Sequence, residues 1–248
     1  MLDKIRGIVG SRQQPDETEP VPGIKLKSPK HIAMTIDGIV AYTKLGSRDA
    51  EQVHAKAIEA LNSIISLQAK KNIPIMTFYL LGDQDPNKPS YEEFLDFIVK
   101  FLENLKNHEA IKTAKISVIG KWYDLPGRVV EAVKEVQGLT RDNSEYYINF
   151  CLNYNGQEEV VDACKLLVRQ VMASKIDISQ IDKSTIKENI YTSYFPPPDL
   201  IIKNGYKKYT KGLLLWDSPY SIIYFSGRMF PEFRNSDLDK AIEYWRRS

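Results

Sequence analysis

Asp37 stands directly behind a short apolar run, residues 31–36, and is followed by Gly38. A carboxylate at the end of an apolar strand is suited to partner Mg²⁺ or a diphosphate. Asp-Gly is equally the composition of a tight turn, and on the residues alone the turn is the commoner outcome. Lys203, Lys207, Lys208 and Lys211 follow a second apolar run and make a basic loop. Such a loop attracts phosphate as a set of point charges, or is simply solvated. His54 lies near the apolar face formed by Val53 and Ala57, where a lone histidine is more often a satisfied interior group than a catalyst. The three histidines, His31, His54 and His108, have no metal-ligand spacing. A Walker loop, a G-x-G-x-x-G and a C-x-x-C are all absent.

These residues need a scaffold that presents strand ends. Residues 31–36, 73–81, 115–119, 146–152, 200–202 and 213–215 read as strands by length and apolar content. Helical spacing runs through 50–67, 91–105, 126–136 and 157–172, the last with Val160, Val161, Ala163 and Leu167 as its apolar set. A closing helix over 236–246 has Ser236 as its expected cap. Residues 175–198 read as helical turns and then an extended, proline-rich entry to the next strand. The strands are apolar on both faces and alternate with helices. That pattern predicts an α/β fold with a mostly parallel sheet covered by helices. Ligands of such sheets sit beyond the carboxyl ends of the strands.

The length of 248 residues accommodates one large α/β domain or two small ones. The net charge of +2 excludes a strong general affinity for nucleic acid. Cys151 and Cys164 make no disulfide framework, and both are expected as reduced, buried thiols in a cytoplasmic protein. No apolar run approaches the ~20 residues of a membrane span, and no signal peptide is expected. Residues 1–30 form an N-terminal segment and linker, and 31–248 the folded domain. Leu2, Ile5, Ile8 and Val9 share one side of a short amphipathic stretch, which suits peripheral membrane contact or a locally packed terminus.

The segments HIAMTIDG, VHAKAIEAL, VIGKWYDLP, LTRDNSEYYINFCLNYNGQEEVVDA, DLIIKNG, LLLWDSPYSIIYF and FPEF together resemble the cis-prenyltransferases, the undecaprenyl diphosphate synthase family, in unbroken order over residues 30–245. The resemblance implies a central six-stranded, mostly parallel sheet, a hydrophobic tunnel, a dimer and Mg²⁺. It implies an enzyme that joins isopentenyl diphosphate to an allylic prenyl diphosphate with cis geometry. Asp37 takes the place of the family's Mg²⁺ and diphosphate aspartate, His54 that of its helix histidine, and Gly38 and Tyr42 match substrate-side positions. Ile39, Val40 and Ala41 replace Asn-Gly-Arg. Lys203 replaces the first late arginine, Tyr209 the second and Lys211 a serine. Ile222 replaces a glutamate that helps to hold Mg²⁺, and Gly82-Asp83-Gln84-Asp85-Pro86 stands for Ser-Thr-Glu-Asn-Trp. The terminal Arg-x-Gly that completes a neighbour's site is not found in 245–248.

Diphosphate grip rests on bidentate arginines, which lysine does not replace. Removing one electrostatic transition-state partner costs about 3 kcal/mol, and two such losses slow turnover by about 10⁴-fold. The expectation is a catalytically degenerate homologue acting as the non-catalytic subunit of a heteromeric polyprenyl diphosphate synthase that makes a glycan lipid carrier. Its partner would be a complete cis-prenyltransferase subunit, or itself as a dimer. The alternatives are an active, divergent prenyltransferase with Asp37 and His54 catalytic, Lys203, Lys207 and Lys211 gripping diphosphate and Mg²⁺ on Asp37, or a module that binds a prenyl lipid or diphosphate.

Overall fold

The computed structural model describes residues 28–45, 49–82, 87–210 and 212–248. The amphipathic stretch, most of the linker, residues 83–86 and Lys211 lie outside the described residues. Six strands form one sheet: β1 His31–Thr35, β2 Ile75–Gly82, β3 Ala114–Ile119, β4 Tyr146–Tyr154, β5 Leu200–Lys203 and β6 Ile222–Phe225. Their order is β3-β4-β2-β1-β5-β6, and every adjacent pair is parallel. The helices are α1 Ile39–Lys44, α2 Ala50–Lys70, α3 Pro89–Leu105, α4 Gly127–Leu139, α5 Gly156–Met172, α6 Lys183–Asn189 and α7 Asn235–Arg247.

All five residues of β1 are buried, because it is a central strand covered on both faces. Ile32 and Met34 face a large core shared with α2, α3, α4 and α7. Ala33, one residue out of phase, faces a smaller core with Tyr79, Cys151, Tyr154, Leu213 and Leu214. This two-sided burial explains why the strands read as continuous apolar runs and not as alternating ones. In the large core Phe94, Phe97 and Phe101 recur along one face of α3 and meet Phe150 of β4, with Phe101 and Phe150 edge-on at 5.3 Å. Aromatic pairs of this geometry add about 1 kcal/mol each beyond area burial.

Register is pinned at the amino end of the sheet. Oδ2 of Asp199 accepts from the amides of Lys30 at 2.7 Å and His31 at 3.1 Å, locking the start of β1 to the start of β5. A buried polar ladder crosses three strands beside it. His31 Nδ1 lies 2.7 Å from the Pro196 carbonyl, its Nε2 lies 2.8 Å from the Thr77 hydroxyl, and Asn149 Nδ2 donates to that hydroxyl at 3.0 Å. The carbonyl can only accept, so Nδ1 carries the proton and the neutral ring accepts from Thr77. Burial holds the His31 pKa down at about 4.

Four expectations change. Leu213–Leu215 is no strand but part of a run of turns, with Leu214 in the left-handed region at φ 48°. The sixth strand is β6, nine residues later in the chain. The apolar run is instead a plug: Leu213 and Leu214 fill the smaller core, where the α5 amino end and the turn approach so closely that a Cβ on Gly156 would lie 2.2 Å from the Gly212 carbonyl. The closing helix begins at Asn235, not after Ser236. Asp237 in its first turn accepts from the Arg234 amide at 3.0 Å, which moves the cap two residues earlier. On α5, Val161 is exposed and the buried set is Gly156, Glu159, Ala163 and Leu167. Cys164 shares the exposed side, so only Cys151 is buried.

Candidate active site in the crevice between β1 and β5

From β1 the chain crosses one way to β2 and, later, the other way to β5, so the strand order reverses between β1 and β5. Open α/β sheets bind their ligands at such a switch point, in the crevice beyond the carboxyl ends of the strands. Asp37 leaves the end of β1 and Lys203 ends β5, and they meet there. Lys203 Nζ donates to Asp37 Oδ2 at 2.6 Å and also to the carbonyl of Asn204. The lysine side chain is 1% exposed and the aspartate 16%.

The surrounding backbone is built to hold this pair. Gly38 adopts φ 96° as the chain turns into α1, and a Cβ there would stand 2.8 Å from Met229 Cγ. Only glycine takes such a conformation without strain. The Asp37 carbonyl accepts from the Phe230 amide at 2.8 Å, so the segment before α7 grips the turn. Asn204, fully buried, donates through Nδ2 to the Thr35 carbonyl at 2.7 Å, and its amide donates to the Thr35 hydroxyl at 3.1 Å. Ser226, just past β6, donates to Asn204 Oδ1 at 2.8 Å. Thr35 and Asn204 lie within the segments HIAMTIDG and DLIIKNG, where local spacing assigns them no role. Their signal was an Asn-Gly step behind an apolar run, which reads as a turn.

The other expected residues are spread around this centre. Tyr42 on α1 is buried and accepts from Lys56 of α2 at 3.2 Å, with that ammonium 5.2 Å from the ring centre. His54 on α2 is buried, with its ring 5.5 Å from that of Phe97 and its Nε2 3.8 Å from Glu93 Oε1, beyond hydrogen-bond reach. Burial holds the His54 pKa below its usual value, against the pull of Glu93. Lys207 is exposed, 6.0 Å from the Tyr209 ring centre. Ile222, which stands for a Mg²⁺ glutamate in the resemblance, opens β6 opposite Leu200, while Phe225 is level with Lys203. At about 3.3 Å per residue a carboxylate at 222 would sit some 10 Å below the crevice, so its loss leaves no gap beside Asp37.

These residues offer magnesium no ready-made protein site, so an ion here would rest on Asp37 and on phosphate oxygens of a ligand. Asp37 Oδ2 is taken by an ammonium, and the described residues hold no cluster of three or more His, Cys, Asp or Glu side chains.

The profile of the family described as "Putative undecaprenyl diphosphate synthase" matches residues 35–248. The chain belongs to the undecaprenyl diphosphate synthase family. It is 30% identical over 227 residues, 90% of this chain and 88% of the relative, to the tritrans,polycis-undecaprenyl-diphosphate synthase (geranylgeranyl-diphosphate specific) of Thermoplasma volcanium. It is 29% identical to the isoprenyl transferase of Heliobacterium mobile, over 86% of this chain and 83% of that one. The lavandulyl diphosphate synthase of Lavandula x intermedia, solved with dimethylallyl diphosphate, superposes with a TM-score of 0.81 at 25% identity, covering 88% of this chain and 95% of that one. The undecaprenyl diphosphate synthase fold is thus present from β1 to α7.

A second polar centre, which sequence reasoning missed, holds the other side of this family fold together. The Tyr154 hydroxyl donates to Glu159 Oε2 at 2.6 Å, and the Thr192 amide donates to Oε1 at 3.3 Å. The Thr192 hydroxyl donates to Asp217 Oδ2 at 2.7 Å, and Lys187 Nζ reaches the same carboxylate at 2.8 Å. Glu159 is fully buried, and burial pushes its pKa up. The network ties α5, α6 and the 212–217 turn to β4, and fixes the plug over the smaller core. No helix among the described residues is long and apolar enough to cross a membrane.

Proposed function

We propose that this chain is a non-catalytic subunit of a heteromeric cis-polyprenyl diphosphate synthase, supporting a complete family member that makes a polyprenyl diphosphate carrier for glycans. The observation that carries the reading is the Lys203–Asp37 pair, 2.6 Å long and closed within the chain. The carboxylate that would organise a diphosphate is neutralised internally. Ile39, Val40 and Ala41, next to it, bring no charge to an anion.

A partner surface supports the same reading. Val161, Cys164, Val168 and Met172 follow one another at helical spacing along α5 and are all exposed, Met172 at 81%. An apolar stripe of this kind on an outer helix suits burial against another protein. The occupant proposed is a second cis-prenyltransferase-fold chain, complete in its arginines.

The test is incorporation of radiolabelled isopentenyl diphosphate into product with an allylic diphosphate. It is run with this chain alone, with a complete family member from the same organism, and with both. The expected result is no product from this chain alone and a raised rate or yield in the mixture. Product from the chain alone would replace the reading with that of an active, divergent prenyltransferase, consistent with relatives named as synthases and transferases. Inertness in both, with saturable binding of a prenyl diphosphate, would leave a binding module in which the exposed Lys207 meets the head group.

A further inference from the structure

We infer that Lys203 serves as a built-in cation for Asp37, so that the crevice between β1 and β5 does not recruit a divalent metal to this carboxylate. Three observations converge. The ammonium sits 2.6 Å from Oδ2, a charge-assisted hydrogen bond at the short end of the usual range. It is 1% exposed and also bonded to the Asn204 carbonyl, so it is held in place by two acceptors and by packing. Asn204 is itself fixed by Thr35 and Ser226, which makes the cation's seat part of the sheet end and not of a mobile side chain.

A divalent ion arriving at Asp37 must displace this ammonium. Lys203 would then be left as an enclosed ammonium without its carboxylate, since its side chain is 1% exposed. Moving a buried charge without its partner is costly. Two cations on one carboxylate in a closed site repel each other strongly at this range. The pair therefore stays closed, and its two charges cancel within the chain. A phosphate or diphosphate group entering the crevice would meet no metal bridge from Asp37 and would depend on exposed lysines such as Lys207.

This inference rests on the ion pair and not on the accessory-subunit reading. A chain whose Asp37 takes no metal could still turn over with lysine as its cation, so the activity assay and the metal titration fail separately.

The test is a Mn²⁺ titration of the full chain, read by loss of the free-ion paramagnetic resonance signal, with Mg²⁺ as competitor. The wild-type chain is expected to take up no Mn²⁺ that Asp37→Asn removes. Lys203→Met frees the carboxylate and is expected to bind Mn²⁺ at least tenfold more tightly than wild type, an effect cancelled by adding Asp37→Asn. Since Lys203→Met leaves a buried carboxylate without its partner, a second measurement uses wild type alone. The Lys203 ammonium, buried as no other described lysine is, gives a protected ¹⁵Nζ resonance. That resonance is expected to stay unmoved as Mg²⁺ is added. A saturable shift of it, or wild-type Mn²⁺ binding lost in Asp37→Asn, overturns the inference.

Discussion

Lys203 and Asp37, 166 residues apart in the chain, close the end of β5 onto the end of β1 through one hydrogen bond of 2.6 Å. The pair joins the fold's two halves at the point where the strand order reverses.

Breaking that bond from one side should be expensive. Removing one member of a buried pair costs about 3–5 kcal/mol, because it strands the other charge. Asp37→Asn and Lys203→Met are each expected to lower the unfolding free energy by that order. The double variant should lose less than the sum, since it strands no charge. Urea unfolding of the four proteins checks this, and additive losses would show that the pair is not coupled.

The His31 ladder sets an acid limit on stability. Its folded pKa of about 4 lies below the free value of 6.5. Between those values the unfolded chain binds the proton and the folded chain does not. Stability is therefore complete above pH 6.5, falls as pH drops towards 4, and levels off below it. The total loss is about 3 kcal/mol. Denaturant midpoints across this range should fall accordingly, and His31→Asn should flatten the slope.

Glu159 works with the opposite sign. Burial raises its folded pKa above the free value of 4.5, so its contribution weakens as pH rises from 4.5 through the raised value. Glu159→Gln removes this slope while its Oε1 still accepts from the Thr192 amide and its Nε2 donates to the Tyr154 hydroxyl, which turns to accept, and should leave stability near neutral pH within about 1 kcal/mol of wild type. Glu159→Ala leaves both donors unpaired in the interior and should cost about 3 kcal/mol. Equal losses in the two variants would refute the hydrogen-bonding account.

Gly156 tests the plug. Its backbone is ordinary helix, so alanine is not strained there, yet the added Cβ would lie 2.2 Å from the Gly212 carbonyl and 2.6 Å from Leu215 Cβ. Gly156→Ala should cost about 1–3 kcal/mol by overpacking, whereas Gly138→Ala, with nothing within 4 Å, should be neutral or slightly stabilising. Thermal denaturation distinguishes them.

The two thiols differ in access. Cys164 is exposed, while Cys151 is fully buried with its thiol pushed up in pKa by burial. One thiol per native chain should react with a disulfide reagent, and the second only after unfolding. If the α5 stripe meets a partner subunit, adding that partner should slow the reaction of Cys164 severalfold.

Local pattern was enough to place β1 to β5 and the long helices α2, α3, α4 and α5 within a few residues. Each is long or two-sidedly apolar, so its own periodicity reports its burial. The same reasoning took Leu213–Leu215 as the sixth strand and passed over Ile222–Phe225, since both are short apolar runs. The choice was made by packing: the first run is held as turns by the close approach of Gly156 and Gly212 and by the Asp217 network, and the second has β5 as its neighbour. The sequence alone determined the family, the core of the sheet, and the absence of arginine beside Asp37. Only tertiary structure decided that Lys203 turns inward to neutralise Asp37 and does not reach out to an anion, because a charge's partner across 166 residues leaves no trace in local spacing.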